Sequence, residues 1–247
     1  MIMSNLKSVL AASALLFAAA QAQADVCVPP INTGNCAPPV GNVIFDLAGQ
    51  PLPQVYTQYT VSFNAAQATT TLSFQFREDP SFFYLDDIVL THNGAGSNLL
   101  TNGDFEGGTF TDPVAGSPQP NGWTYLNLFN APFAGEVSND NPHSGLFNYV
   151  DGSIGAYDGI TQSISTIVGD SYTLSFWLTD ESGQALGSQL STGGGGEDGG
   201  GVSGIDLLVY AGALPTILPT GVPEPDSIAL LGLGVAGLAM ARRRTQK

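Results

Sequence analysis

The chain predicts an all-β fold, an antiparallel β-sandwich with polar turns. Three observations carry this. Between the two ends, no long stretch repeats its apolar residues at the helical period of 3.6. Several short segments instead alternate apolar and polar residues at a period of two, which gives a strand one buried face and one wet face. Gly, Pro, Asn and Asp fill the gaps between them, the residues that turns require.

The elements follow in order. Tyr59, Val61 and Phe63 alternate with Thr60, Ser62 and Asn64. Leu72, Phe74 and Phe76 alternate with Ser73, Gln75 and Arg77. Short strands are predicted at residues 84–90, 145–150 and 159–164. Tyr172, Leu174, Phe176 and Leu178 alternate with Thr173, Ser175, Trp177 and Thr179, and a last strand is predicted at 205–210. Residues 182–204 hold ten glycines and read as a loop between two strands. They do not read as a phosphate cradle, because no lysine follows and no strand–glycine–helix context exists.

The ends have a different character. Lys7 precedes the apolar stretch 9–20, and Ala22-Gln23-Ala24 fits a small-x-small cleavage site. Residues 1–24 therefore read as a secretory signal peptide. At the other end, Val222-Pro223-Glu224-Pro225 precedes an apolar run at 228–241 and a basic cluster, Arg242, Arg243 and Arg244. Arginines beside an apolar segment stay on the cytoplasmic side and act as a stop-transfer signal. The run has 14 residues, whereas a comfortable transmembrane span needs about 20. It suits a segment that is parked in the membrane transiently, recognised and removed.

Residues 222–244 resemble the PEP-CTERM sorting signal of Gram-negative bacteria. The resemblance implies recognition by an exosortase near Pro223-Glu224-Pro225. It also implies export across the inner membrane to the cell surface or the exopolysaccharide matrix. Asp226 departs from the pattern, where a small residue more often follows.

Composition narrows the partners. Between residues 25 and 222 stand 19 acidic side chains and one basic side chain, Arg77, a net charge of −18. Such a surface repels nucleic acid and suits neutral glycans or divalent cations. Acidic chains poor in aromatics can be disordered, but this one is 9% aromatic and has clear strand patterning. Cys27 and Cys36 are the only cysteines and lie in a Pro-rich segment, 25–42. In an oxidising compartment they are expected to form a disulfide. Its short loop predicts a local staple that contributes little to the core.

Two further segments carry a second resemblance. Residues 98–108 read NLLTNGDFEGG, and residues 59–90 contain TTLSFQFREDP and LDDIVL. Both are similar to a jelly-roll, carbohydrate-binding-module-like domain of exported PEP-CTERM proteins. There the NGDFE motif opens the domain and the LDDIVL motif closes it; here the closing motif comes first. One reading is a truncated copy followed by a separate domain. The favoured reading is a circular permutation, in which segments 43–92 and 97–212 complete one sandwich and 213–221 links it to the sorting tail. Four or so strands with an exposed face would be marginal alone. The seven residues THNGAGS would then join the old termini.

No enzyme is expected. His92 and His143 sit in loop-like sequence, and neither an HExxH nor a GxSxG pattern occurs. The jelly-roll resemblance instead implies a structural calcium ion held by Asp86, Asn102 and Glu106. Alternation along the strand predicts that Asp87 faces away from Asp86, so only one of them reaches a given site. Trp177, sharing a face with Thr173, Ser175 and Thr179, and Trp123 are candidate platforms for stacking a sugar ring. The expected function is that of a non-catalytic surface or matrix protein. Alternatives are a carbohydrate-binding module with a defined glycan site and an ice-binding or adhesive protein, for which Thr69-Thr70-Thr71 is the short supporting run.

Overall fold

The computed structural model describes residues 36, 38–47, 53–78, 81–180 and 205–217. The predicted signal peptide, Cys27, the glycine-rich segment 182–204 and the sorting tail lie outside the described residues. Within them run β1 (Val43–Asp46), β2 (Thr57–Asn64), β3 (Thr69–Glu78), β4 (Phe83–His92), β5 (Thr109–Thr111) and β6 (Pro118–Pro120). These are followed by β7 (Thr124–Leu126), β8 (Glu136–Ser138), β9 (Asn148–Asp151), β10 (Asp158–Ser165), β11 (Ser171–Asp180) and β12 (Ile205–Gly212). No helix occurs among the described residues.

Two five-stranded sheets pack face to face. The first has the order β1-β12-β3-β10-β7 and the second β2-β11-β4-β9-β8; β5 and β6 form a separate ribbon. Every pairing is antiparallel. The apolar sets read from the alternation meet between the sheets. Leu72, Phe74 and Phe76 of β3 join Leu174, Phe176 and Leu178 of β11 in one buried core. Phe176 sits at its centre, with Phe45 and Phe74 edge-on at 5.3 Å and Tyr59 stacked at 5.6 Å.

The early strands do not form a unit of their own. β2 pairs with β11, β3 with β10 and β12, and β4 with β9 and β11. The two segments complete one sandwich. At their junction, Asn98 folds back onto β4: its Oδ1 accepts the Leu90 N–H at 2.9 Å and its Nδ2 donates to the Ile88 carbonyl at 2.8 Å. At the other end of the segment, β1 lies beside β12, and Val40 bridges Thr216. The junction of the two segments and the outer ends of the sandwich are thus each held together by hydrogen bonds.

One expectation fails. Ser73, Gln75 and Arg77 are predicted to face water, yet all three are buried. A second apolar layer covers the outer face of the first sheet. Leu208 and Tyr210, which alternate with the core residues Leu207 and Val209, pack there with Cys36, Phe129, Ala131, Ala156 and Tyr157. Cys36 is itself fully buried, its N–H bonded to the Gly155 carbonyl at 3.0 Å, and it is not a free thiol. Its segment therefore packs on the sandwich rather than standing apart from it. Arg77, 1% exposed, is the cross-strand neighbour of Asp206 in this layer, and a buried cation needs such company.

Candidate functional site

β4 is zipped to β11, but its register slips once. Two steps on β11, Ser175 to Trp177, match three on β4, Val89 to Asp86. The extra residue makes a β-bulge. Asp87 takes φ 47° there, a left-handed conformation that Asp adopts more readily than most residues. The bulge cancels the alternation of faces. Asp86 and Asp87 therefore both reach residues 143–144, contrary to the expectation that only one of them would.

Three carboxylates hold this loop, which connects β8 to β9. Asp86 Oδ2 accepts the N–H groups of His143 and Ser144 at 2.9 and 3.1 Å, and its Oδ1 accepts that of Asp87 at 2.7 Å. Asp87 Oδ2 lies 2.7 Å from His143 Nδ1, and its Oδ1 accepts the Ser144 hydroxyl at 3.0 Å. From the other side, Glu106 Oε1 accepts the N–H groups of Leu146 and Phe147. Gly145 lies between, with φ 61°, a conformation that favours glycine; a Cβ there would also push the Glu106 carboxylate aside. Burial pushes the Asp86 carboxyl up to about 6, against the lowering effect of the Ser144 and Asp87 N–H groups.

The same loop carries an aromatic stack. The His143 ring lies 4.0 Å from Trp177 at an interplanar angle of 17°, with Tyr56 edge-on at 5.1 Å. Tyr56 donates to the Asn141 carbonyl at 2.7 Å, and burial pushes its phenol up to about 12. Trp177 is thus half-buried, with His143 over one face. Trp123 does not face solvent. It is 3% exposed, packs against Phe74 and Phe105, and donates its indole N–H to the Asn102 carbonyl at 3.0 Å. A sugar cannot stack on it, which corrects the expectation for this residue.

The NGDFE motif now has a physical role. Phe105, at φ 59°, turns into the core between Trp123 and Tyr149. Asn102, at φ 53°, closes the turn: its Oδ1 accepts the Gly107 N–H, and its Nδ2 donates to the Asn121 carbonyl at 3.0 Å. Of the three calcium ligands expected, Asp86 and Glu106 hold one loop, whereas the Asn102 side chain is spent on Gly107 and Asn121. Among the described residues, no three His, Cys, Asp or Glu side chains are grouped to hold a metal. The threonine run does not form a ladder. Thr70 is buried and bonds Thr166 at 2.9 Å, while Thr71 bonds Ser163 at 3.0 Å.

His143 is the residue whose part the sequence hides, because it reads as a turn residue. Its neighbours Ser144 and Gly145 were the available signal, a tight turn rich in N–H donors in a chain crowded with carboxylates. His92 is used similarly, stacked on Tyr172 and 2.7 Å from Asp170 Oδ2.

Beyond this domain, residues 221–244 match the family model of the PEP-CTERM protein-sorting motif. The chain carries a PEP-CTERM sorting signal. The match takes in Val222-Pro223-Glu224-Pro225, the apolar run and Arg242 to Arg244, as the sequence predicts. It indicates export and sorting to the bacterial cell surface through an exosortase. No curated protein and no solved structure matches the chain.

Proposed function

We propose that this PEP-CTERM chain is a non-catalytic protein of the cell surface or exopolysaccharide matrix of a Gram-negative bacterium. The sorting motif at 221–244 is the observation that carries the reading. The non-catalytic part is supported by how the site is spent: Asp86, Asp87 and Glu106 hold a loop, and both histidines pair with carboxylates. Mass spectrometry of exported protein is expected to find a C-terminus near 222–225, without Arg242, Arg243 and Arg244. Intact C-terminal arginines on exported material would overturn processing. A glycan-binding reading draws on the jelly-roll resemblance and on Trp177, one face of which His143 already covers.

The same reading keeps a structural calcium ion, with Asp86 and Glu106 as ligands and Asn102 left out. Calcium takes six to eight oxygens, so the 143–147 loop would have to offer carbonyls where it now offers N–H groups. An ion that binds only the folded state raises its stability. A chelator is therefore expected to lower the melting temperature of the wild type and to leave that of Glu106→Gln where it was. A wild-type melting temperature indifferent to chelator would remove calcium from this account.

A further inference from the structure

β2 is the end strand of the second sheet. One side of it is zipped to β11 over eight consecutive pairs, from Thr57–Leu178 to Asn64–Ser171, without a bulge. On its other side, no strand among the described residues pairs with it. β1, the nearby edge of the opposite sheet, hydrogen-bonds to β12 and meets β2 through Phe45, 5.1 Å from Tyr59. A free strand edge presents unpaired N–H and C=O groups to any passing strand, and natural edges are blunted by lysine, proline, bulges or short length.

β2 has none of these. It is eight residues long, TQYTVSFN, with no proline. Of the described strands of that length or longer, it alone has no charged residue; the others carry Glu78, Asp86, Asp158, Asp180 or Asp206. The chain around it is strongly acidic. Two copies repel one another, so a contact between them is cheapest where neither side brings charge, and β2 is that place.

We propose that β2 is a self-association edge, on which a second copy of this chain lays its own β2 antiparallel about a two-fold axis at Val61. Residues equidistant from the axis then face one another, and the sequence matches itself. Tyr59 falls opposite Phe63 on the core side, where Phe63 is already buried against Tyr172 and Tyr59 is half-buried. On the exposed side, Thr60 meets Ser62 and Gln58 meets Asn64. Aromatic and hydroxyl pairs of this kind are the favourable cross-strand combinations. Gln58, Thr60, Ser62 and Asn64 are all exposed, so nothing in the sandwich moves to form the contact. The two five-stranded sheets become one continuous sheet, in an isologous dimer. This goes beyond the sorting reading and does not depend on it.

Sedimentation of the exported protein over a wide concentration range tests the edge. The wild type is expected to dimerise reversibly, and more tightly as salt screens the acidic surfaces. The double variant Thr60→Asp/Ser62→Asp sets like charges opposite one another and is expected to weaken the dimer by ~10-fold or more, given that such pairs are destabilising. Its melting temperature as a monomer should fall only slightly, since both side chains are exposed and the bond lost is the exposed Ser62–Thr173 hydroxyl pair at 3.2 Å. Thr60→Lys/Ser62→Lys should behave likewise, and an equal mixture of the two variants should dimerise again. A wild type that stays monomeric, a dimer that survives in the aspartate variant, or a mixture that stays monomeric would each overturn the proposal.

Discussion

Gly159→Ala is expected to abolish folding. Gly159 lies in β10, in the interior of the first sheet, between β3 and β7. A Cβ at this position would stand 1.9 Å from the Phe74 carbonyl oxygen and 2.9 Å from its carbon. Both atoms are backbone, so no side chain can swing aside. β10 and β3 are locked by an unbroken register from Asp158–Phe76 to Ser165–Thr69. To admit the methyl group the strands must part, and the ladder on both sides of the position goes with them. Phe74 would be drawn out of its edge contacts with Phe176 and Trp123. Losses above about 4–5 kcal/mol are exceptional for one substitution, and this one combines overpacking with a broken sheet. Gly96→Ala is the control: nothing lies within 4 Å of its Cβ, so only its φ of 96° costs anything, about 1–2 kcal/mol. Urea titration should give a measurable midpoint for the control and no folded baseline for Gly159→Ala. A wild-type midpoint for Gly159→Ala would show that β3 and β10 can separate at little cost.

The long strands were legible because each has one apolar face. β2, β3 and β11 form where the alternation places them, and Leu72, Phe74, Phe76, Leu174 and Phe176 enter the core as expected. Alternation assumes a regular pleat, and it misleads where the pleat is broken. At Asp87 one extra residue turns both aspartates onto the same loop, and Ile88 and Leu90, rather than Val89, then face the core. Alternation also cannot say what lies beyond the polar face. Ser73, Gln75 and Arg77 look like a solvent face, and only the tertiary fold brings Cys36, Phe129 and Tyr157 over it. The three-residue strands β5 to β8 are too short to show a period. Trp123 was misplaced for a related reason: nothing in NGWTYLNLF tells a platform from a core residue, and the core claims it.

The melting temperature is expected to fall as pH rises from about 4 to above 7. Asp151 and Asp158 are both buried and interact directly with one another. Tyr125 donates to Asp158 Oδ2, Tyr149 donates to Asp151 Oδ2 at 3.3 Å, and the Ser153 N–H reaches Asp151 Oδ1 at 3.1 Å. No basic group takes part in these hydrogen bonds. Burial is the largest cause and raises both carboxyls; the mutual repulsion of the pair adds to it for Asp151, and Asp158 is carried to about 7. Two carboxyls in contact are stable when they hold a proton between them. In the unfolded chain each loses its proton near its ordinary value of 3.8. Between that value and the folded one, the folded state binds more protons than the unfolded state, so stability declines with rising pH. It is fully present below about 4 and is lost as pH passes through the folded value. Asp86, raised to about 6, contributes with the same sign. One pKa unit corresponds to about 1.4 kcal/mol, so the part due to Asp158 is at most roughly 4 kcal/mol. In a domain of this size that is on the order of 10 °C. Asp151→Asn keeps a hydrogen-bonding group of the same shape while removing one of the two charges, and it should flatten the profile by raising the melting temperature at pH 8. Thermal denaturation across the range reads both chains. A wild type that melts higher at pH 8 than at pH 4.5 would mean that the pair is ionised in the folded protein and that Tyr125 and Tyr149 stabilise two charges rather than one shared proton.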